Sequence, residues 1–270
     1  MINARWAHVA GFAAVAALAF ATVTGCGATD SGTDKPAADK PSTPADPRET
    51  LLDAVPDQQD GAFRFTVKGG TTPSSGVLDV AKQAAEITIV QTEKDPDFTM
   101  KLDTRTVGGK FWVRLAFTPA SLPGLPKLPK KWMLLDPAKL KNANDLKLAA
   151  EDTDPGYTSQ VVENAAGITE KSPHHYAGTT DLTKLTEADI VDAATLKALG
   201  AKAKAVPFQA VVDAAGHLTG ITLAIPAAGK TKAQKYAVSY TGFGGTTAPA
   251  APAAGEQQKA VATIYEFMNG

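Results

Sequence analysis

Apolar and polar residues alternate along four short runs in the first half of the chain. The runs lie at 63–67, 85–89, 98–102 and 111–115, and every second residue in each of them is apolar. Successive residues of a strand point to opposite faces, so the pattern predicts a sheet with one apolar and one polar face. We expect this sheet to be antiparallel, because parallel sheets are usually covered on both sides.

Three further runs, at 208–212, 218–225 and 236–240, predict a three-stranded meander in the second half of the chain. Short turn sequences separate the strands, as expected for hairpins. These sequences are Gly108-Gly109, Asp213-Ala-Ala-Gly216 and Pro226 to Lys230.

Short helices are predicted around and between the two sets of strands. The predicted helices are 48–55, Tyr157 to Ala166 closed by Gly167, and Ala193 to Leu199 closed by Gly200, with one strand from Ile168 to Asp181 between the last two. Asp136-Pro137 and Asp154-Pro155 each have the pattern of an N-cap followed by Pro at the first helical position. The pattern as a whole predicts an α+β domain with helices across the apolar face of the sheet.

The C-terminal residues predict one more helix after a hinge. Residues 244–255 are rich in Gly, Ala and Pro. Beyond them, Ala260, Val261, Ile264 and Phe267 follow one another at helical spacing and form one apolar stripe. Because so short a helix is marginal on its own, we expect it to dock loosely on the domain.

The N-terminus has the pattern of an export signal. One cation, Arg5, precedes the apolar run 9–23, which is of secretory length. The run ends in Val23-Thr24-Gly25-Cys26, which resembles the lipobox of bacterial lipoproteins. The resemblance implies cleavage before Cys26 and acylation of its thiol, which gives a lipid-anchored protein on the extracytoplasmic face of the cell membrane.

Composition divides the chain into four parts. Residues 1–25 are the expected signal peptide, and 26–47 combine the lipidated Cys with a polar, Pro-rich tether that is too poor in apolar residues to fold. Residues 48–243 have the length of one domain with a sizeable core. Residues 244–270 hold the hinge and the C-terminal helix.

Charge and residue counts exclude several classes of partner. The chain carries 27 Lys and Arg against 28 Asp and Glu, without a basic stripe or polybasic run, so we expect no nucleic acid partner and no electrostatic contribution to membrane binding. One Cys excludes an internal disulfide. Four His and one Cys favour neither a metal site nor a cofactor, and we expect a monomer.

The sequence carries no catalytic signature, and we expect a protein that is not an enzyme. It has no Gly-x-Ser-x-Gly elbow, and the adjacent His174 and His175 of a strand would point to opposite faces, one outward and the other beside Tyr176. Trp112 and Trp132 stand next to cations. They either form a wet rim or, as we expect, pack against the covering helices.

The order of segments resembles a known family. After the lipobox, the Pro-rich tether and a short helix, the chain reads GKFWVRL, KKWMLLDP, HHYAGTTDL, VPFQAVVDAAGHLTGITL and YAVSYTGFG. This order is similar to that of the LppX/LprG-type lipoproteins of actinobacterial envelopes, over most of residues 50–243. The resemblance implies a LolA-like fold, in which a strongly curved antiparallel half-barrel is closed by helices around a cavity for acyl chains.

Two functions follow as hypotheses. The first is an anchored carrier of acylated lipids or glycolipids, and the second is an interaction protein with a filled core that presents a surface to an envelope enzyme or sensor. Alternation alone does not distinguish a cavity from a filled core. The candidate lining residues of the apolar face are Phe63, Phe65, Ile87, Ile89, Met100, Leu102, Phe111 and Val113.

Overall fold

The computed structural model describes residues 46–94, 97–120, 128–141, 154–185 and 190–270. The signal peptide, Cys26 and almost the whole of the predicted tether lie outside these residues. The predictions made for them stay predictions.

The described residues form an α+β fold around one twelve-stranded sheet. The strands, numbered in chain order, are β1 Phe63–Lys68, β2 Ser74–Asp79, β3 Ala84–Lys94, β4 Asp97–Val107, β5 Lys110–Thr118, β6 Trp132–Leu134, β7 Ala165–Ser172, β8 His175–Thr180, β9 Val206–Val212, β10 Leu218–Ile225, β11 Gln234–Thr241 and β12 Gln257–Lys259.

The sheet is open and mainly antiparallel. Its strand order is β12-β6-β5-β4-β3-β2-β1-β11-β10-β9-β8-β7, so β12 and β7 are the two edges. Only the short pair of β12 with β6 is parallel. The first strand pairs with β11, which joins the N-terminal strands to the C-terminal meander. The predicted fold class and the antiparallel pairing are confirmed.

Short helices accompany the sheet in the described part of the chain. The α-helices are α1 Pro47–Asp53, α2 Thr158–Glu163, α3 Ala193–Leu199 and α4 Ala262–Asn269, and 3-10 turns span Pro137–Lys139, Leu182–Lys184, Gly200–Ala205 and Ala254–Glu256. Asp46 and Asp192 cap α1 and α3 by accepting hydrogen bonds from the backbone of Arg48 and Thr195. Asp136 caps its 3-10 turn in the same way, with Pro137 in the first position as predicted.

Several turns confirm the turn chemistry read from the sequence. Gly108 and Gly109 join β4 to β5, and both have positive φ, as a tight two-residue hairpin loop requires. Asp213 accepts hydrogen bonds from the backbone of Ala215 and His217 in the turn between β9 and β10. Gly200 follows the last residue of α3 with φ +54°.

The region 157–181 differs from the prediction. Helix α2 ends at Glu163, whereas the prediction extended it to Ala166, and Gly167 lies in an irregular stretch of β7 with φ +62°. The single strand expected from Ile168 to Asp181 is a hairpin of β7 and β8. His174 occupies its turn with φ +66°. The polar run from Thr169 to His175, with Pro173 within it, marks this reversal in the sequence.

The C-terminal segment is also packed differently from the prediction. The helix is confirmed over Ala262–Asn269, but residues 257–259 are a strand beside β6. Ile264 is fully buried and Tyr265 nearly so. Tyr265 also accepts a hydrogen bond from the backbone of Asp136 at 2.7 Å. The expectation of loose docking is therefore wrong.

Candidate functional site

The eight candidate lining residues lie on one side of the sheet, which we call the inner side. Residues directly opposite each other in an antiparallel pair project from the same face. Ile89 is opposite Leu102, and Thr104 is opposite both Ile87 and Val113. The register continues in this way from β1 to β5, so it brings the eight residues to one face.

Two separate groups of buried side chains pack on the inner side. The first cluster extends over β1 and β8–β11 and contains Phe63 and Phe65, together with Leu51 of α1 and Leu199 of α3. The second cluster is built on β4–β6 and α4. Its members among the candidates are Met100, Leu102, Phe111 and Val113. Phe63 and Val113 have no exposed surface, so each cluster is closed at its centre.

A partly exposed strip lies where the two clusters meet. We call Gly76, Ile87, Ile89 and Thr104 the central strip. All four residues retain solvent-exposed surface. Ile87 packs against the first cluster and Ile89 against the second, although they are two residues apart on β3. The middle of the inner side therefore presents aliphatic surface that neither cluster covers completely.

The opposite, outer side of the sheet carries a charged layer. The nearly buried carboxylate of Asp103 accepts hydrogen bonds from Thr88 at 2.7 Å, Arg114 at 2.9 Å and Lys101 at 3.1 Å. Burial by itself raises the pKa of the Asp103 carboxyl, but the hydrogen bonds from these three side chains outweigh it and lower the pKa below its ordinary value. Asp103 therefore stays ionised and organises the two cations around it.

Trp132 lies between two guanidinium groups on the outer side. The guanidinium carbons of Arg105 and Arg114 each lie 4.6 Å from the centre of its ring. Both Trp132 and Trp112 are buried. Their packing against cations and the C-terminal segment corrects the expectation that they pack against helices or form a wet rim. A tryptophan between two arginines is a cation–π arrangement, which stabilises all three side chains.

The C-terminal segment crosses the outer side before it reaches α4. Arg105 donates a hydrogen bond to the backbone oxygen of Ala250 at 3.1 Å, and the indole of Trp112 donates one to Gln257 at 2.8 Å. Gln257 in turn donates to the backbone oxygen of Pro252. These bonds lead the segment from the outer side to the edge of β6.

A second buried carboxylate, Asp154, joins helix α2 to strand β11. Its two oxygens accept bonds from the backbone and hydroxyl groups of Thr158 and Ser159 at 2.7–2.9 Å, and from the hydroxyl of Tyr240 at 2.7 Å. Burial, followed by the charge of Asp154, raises the pKa of Tyr240 well above its ordinary value. The prediction of Asp154 as the N-cap with Pro155 in the first helical position is wrong, because Tyr157 holds the N-cap position. Asp154 nevertheless accepts hydrogen bonds from the backbone of Thr158 and Ser159 in the first turn.

His217 lies apart from the adjacent pair His174 and His175 in the described part of the chain. His174 and His175 are both exposed, so the expectation that one packs beside Tyr176 is wrong. His217 stacks on Phe243 at 4.3 Å, with one ring nitrogen 3.3 Å from Asp60 and the other 3.3 Å from Asp213. Among the residues that the structure describes, no group of three or more His, Cys, Asp or Glu side chains is arranged to hold a metal ion.

A shallow hollow of about 410 Å³ lies on the β7–β8 hairpin, away from the central strip. Small and polar residues line it, and none of the eight candidates is among them. The lining residues are Ala166, Gly167, Thr169, Lys171, Ala177, Gly178 and Thr179. Its wide opening differs from that of an enclosed apolar ligand site.

Comparisons with known proteins leave the family of the chain undefined. No protein-family model matches the sequence, and no curated protein is significantly similar to it. Over the described residues, no helix has the length and apolar character needed to cross a membrane.

Proposed function

We propose that the protein is a membrane-anchored lipoprotein that binds the acyl chains of lipids or glycolipids in the cell envelope. In this proposal, Cys26 carries the anchor and the domain itself is not an enzyme. The open sheet curves into a half-barrel, and the short helices lie across its apolar face. The acyl chain occupies the space over the central strip.

The observation that carries the proposal is the partial exposure of Ile87 and Ile89. Large aliphatic side chains in the middle of a sheet are normally covered, and those on either side of this strip are fully buried. An acyl chain laid across the strip would bury the exposed aliphatic surface, and each methylene group removed from water contributes about 0.8 kcal/mol. The affinity is therefore expected to increase with the number of methylene groups that the strip buries.

The burial of individual residues determines which positions are suitable for a test of acyl-chain binding. Val113 and Ala85 are enclosed in the clusters, so a tryptophan at either position would overpack the core. Ile89 has free surface, and tryptophan there would occupy the space of the ligand. Val90, its neighbour on β3, points to the outer side and is 43% exposed, which makes it the matched control.

Ile89→Trp is expected to weaken binding of a fluorescent fatty acid by about tenfold or more, since it replaces several methylene contacts of the ligand. Val90→Trp adds the same bulk to the other face and is expected to leave the affinity unchanged. Fluorescence titration measures both affinities, and thermal melting checks both folds. Equal binding by the two variants, or no fatty acid binding by the unmodified protein, would overturn the proposal.

The second candidate is the interaction protein with a filled core. The complete burial of Phe63 and Val113 inside two closed clusters favours it. Under this alternative the central strip is only the boundary between the two clusters, and it binds no lipid. Mass spectrometry of the protein purified from its own host, under conditions that keep ligands bound, distinguishes the two candidates.

A further inference from the structure

Lysines accumulate in one stretch of the C-terminal half of the chain. Between residues 193 and 255 the only acid is Asp213, and there is no arginine. The lysines of this stretch are Lys197, Lys202, Lys204, Lys230, Lys232 and Lys235. The near-neutral balance of the whole chain conceals this local excess of positive charge, which the expectation of no electrostatic contribution to membrane binding did not take into account.

The fold gathers these lysines at one end of the sheet, which we call the basic end. Helix α3 and the 3-10 turn Gly200–Ala205 lead into the start of β9, and the β10–β11 hairpin turns at the same end. Lys202 donates a hydrogen bond to the backbone oxygen of Ala227 at 3.4 Å. A Cβ placed on Gly229 would lie 3.5 Å from the Cβ of Ala198. The hairpin tip therefore lies against α3 and the turn that follows it.

The lysines of the basic end lie on the surface of the domain. All six are exposed, and none forms an ion pair with a carboxylate of the described residues. The described acids that flank them, Asp181 and Asp192, act as N-caps through Thr183 and Thr195. Asp213 lies in the turn at the other end of β9 and β10. The six lysines outnumber the described carboxylates of Glu163, Asp181 and Asp192 at this end, so it carries an excess of positive charge.

The chain enters the domain at the same end. Arg48, in the first turn of α1, donates hydrogen bonds to the backbone oxygens of Val162, Glu163 and Ala165. Ala165 is paired with Thr180, which is paired with Val206, the residue that follows the lysine-bearing turn. Asp46, the first residue that the structure describes, therefore lies at the end of the sheet that carries the lysines.

We propose that the basic end docks on an anionic phospholipid surface and holds the domain in one orientation on the membrane. This inference rests on the proposed function, because anchoring through Cys26 is what brings this end of the domain to the membrane. Exposed lysines near an anionic bilayer are attracted to it over about a Debye length, roughly 10 Å in 0.1 M salt. The membrane contact would then come from two sources, the lipid anchor and the lysines.

Vesicle sedimentation tests the proposal with the chain from residue 26 onward carrying Cys26→Ser, which is not acylated and contains every described residue. We expect it to bind vesicles of phosphatidylcholine with about 30% phosphatidylglycerol in about 0.05 M salt and to detach in about 0.5 M salt. Vesicles of phosphatidylcholine alone are expected to leave it in solution.

Two triple variants locate the contact. Lys197→Gln, Lys230→Gln and Lys232→Gln together are expected to reduce binding to the anionic vesicles about 100-fold, or about fivefold per lysine. The control variant carries Lys110→Gln, Lys171→Gln and Lys259→Gln, which change equally exposed lysines elsewhere on the sheet. It is expected to bind like the parent chain.

The binding assays distinguish a failure of the docking proposal from a failure of the proposed lipid binding. The lysine variant is expected to keep its affinity for the fluorescent fatty acid, and Ile89→Trp is expected to keep its affinity for anionic vesicles. Equal loss in both triple variants, salt-independent binding, or binding to phosphatidylcholine alone would overturn the docking proposal. Tighter binding to a soluble anionic polymer than to the vesicles would overturn it in favour of a polyanion partner.

Discussion

Two aspartates show how single residues fix the two sides of the sheet. Asp103 holds Thr88, Lys101 and Arg114 together on the outer side, while Asp154 ties the first turn of α2 to Tyr240. Each carboxylate is nearly buried, and its oxygens accept bonds from several donors. Such groups are costly to bury unless they are paired, so their partners determine their effect on stability.

Asp103→Asn is expected to lower the free energy of unfolding by about 1–2 kcal/mol at pH 7, a modest value because solvent screens the exposed sides of Lys101 and Arg114. Because the pKa of Asp103 is lower in the folded protein than in the unfolded chain, its contribution is complete above the unfolded pKa. It is lost as pH falls through the lower, folded pKa. The difference between the two proteins is therefore expected to be constant above about pH 5 and to shrink below about pH 4.

Urea unfolding at a series of pH values measures this difference. Asp97→Asn, at the exposed start of the same strand, serves as the control and is expected to leave stability unchanged. A difference of the same size at pH 3 and pH 7 would contradict the role assigned to the ionised carboxylate.

Sequence patterns predicted polar residues on the outer side but not their mutual contacts. Alternation indicates only which face a residue occupies. Trp132 and Arg105 are far apart along the chain and meet because β6 pairs with β5. The position of β6 depends on long-range pairing, which has no local signal. The common face of the eight inner residues could be predicted, because alternation alone decides it.

At the scale of elements, the strands with strong apolar periodicity were predicted from the sequence, whereas the short strands were not. The prediction found the long strands β3, β4, β5 and β10. It missed β2, whose residues include two serines and a glycine, and it missed the three-residue strands β6 and β12. The last two strands owe their existence to pairing with neighbours rather than to their own composition.

The C-terminal segment is expected to contribute several kcal/mol of stability. Truncation after Gly255 removes β12 and α4, and with them the cover over the fully buried Met133. The loss of Ile264 alone corresponds to about 2–5 kcal/mol in a core position. We therefore expect the truncated protein to melt more than about 10 °C below the full chain.

Differential scanning calorimetry measures the melting temperatures. Ile264→Ala in the full chain is expected to account for about 2–5 kcal/mol of the effect, whereas Glu266→Ala, on the exposed side of the same helix, changes little. An unchanged melting temperature after truncation would show that α4 docks only loosely.

At the scale of the whole molecule, charge and partly exposed apolar surface lie in different parts of the domain. The basic end and Asp46, the first described residue, lie at the same end of the sheet, and the central strip lies in the middle of the sheet. Net charge computed from the sequence did not show this, because a sum over the chain contains no information about position. The sequence predicted the residues of the inner side, whereas their division into two clusters required the packing of the helices.

The anchor and the basic end are expected to make separable contributions to membrane attachment. Two acyl chains bind stably to a bilayer, whereas electrostatic attraction is reversible and weakens with salt. Cys26→Ala removes the proposed site of acylation and leaves the lysines in place. In its host, this variant is expected to detach from membranes washed with about 0.5 M salt and to lack the added mass of lipid.

Membrane fractionation, with intact mass measurement of the purified protein, tests this expectation. The triple lysine variant with Cys26 intact provides the comparison, since its anchor is expected to hold it on the membrane through the same wash. Because only the anchor withstands salt, the two variants should separate completely. If the Cys26→Ala protein stayed with the membranes after the wash and still carried a lipid mass, the anchor would lie elsewhere in the chain, and the lipoprotein assignment would fail.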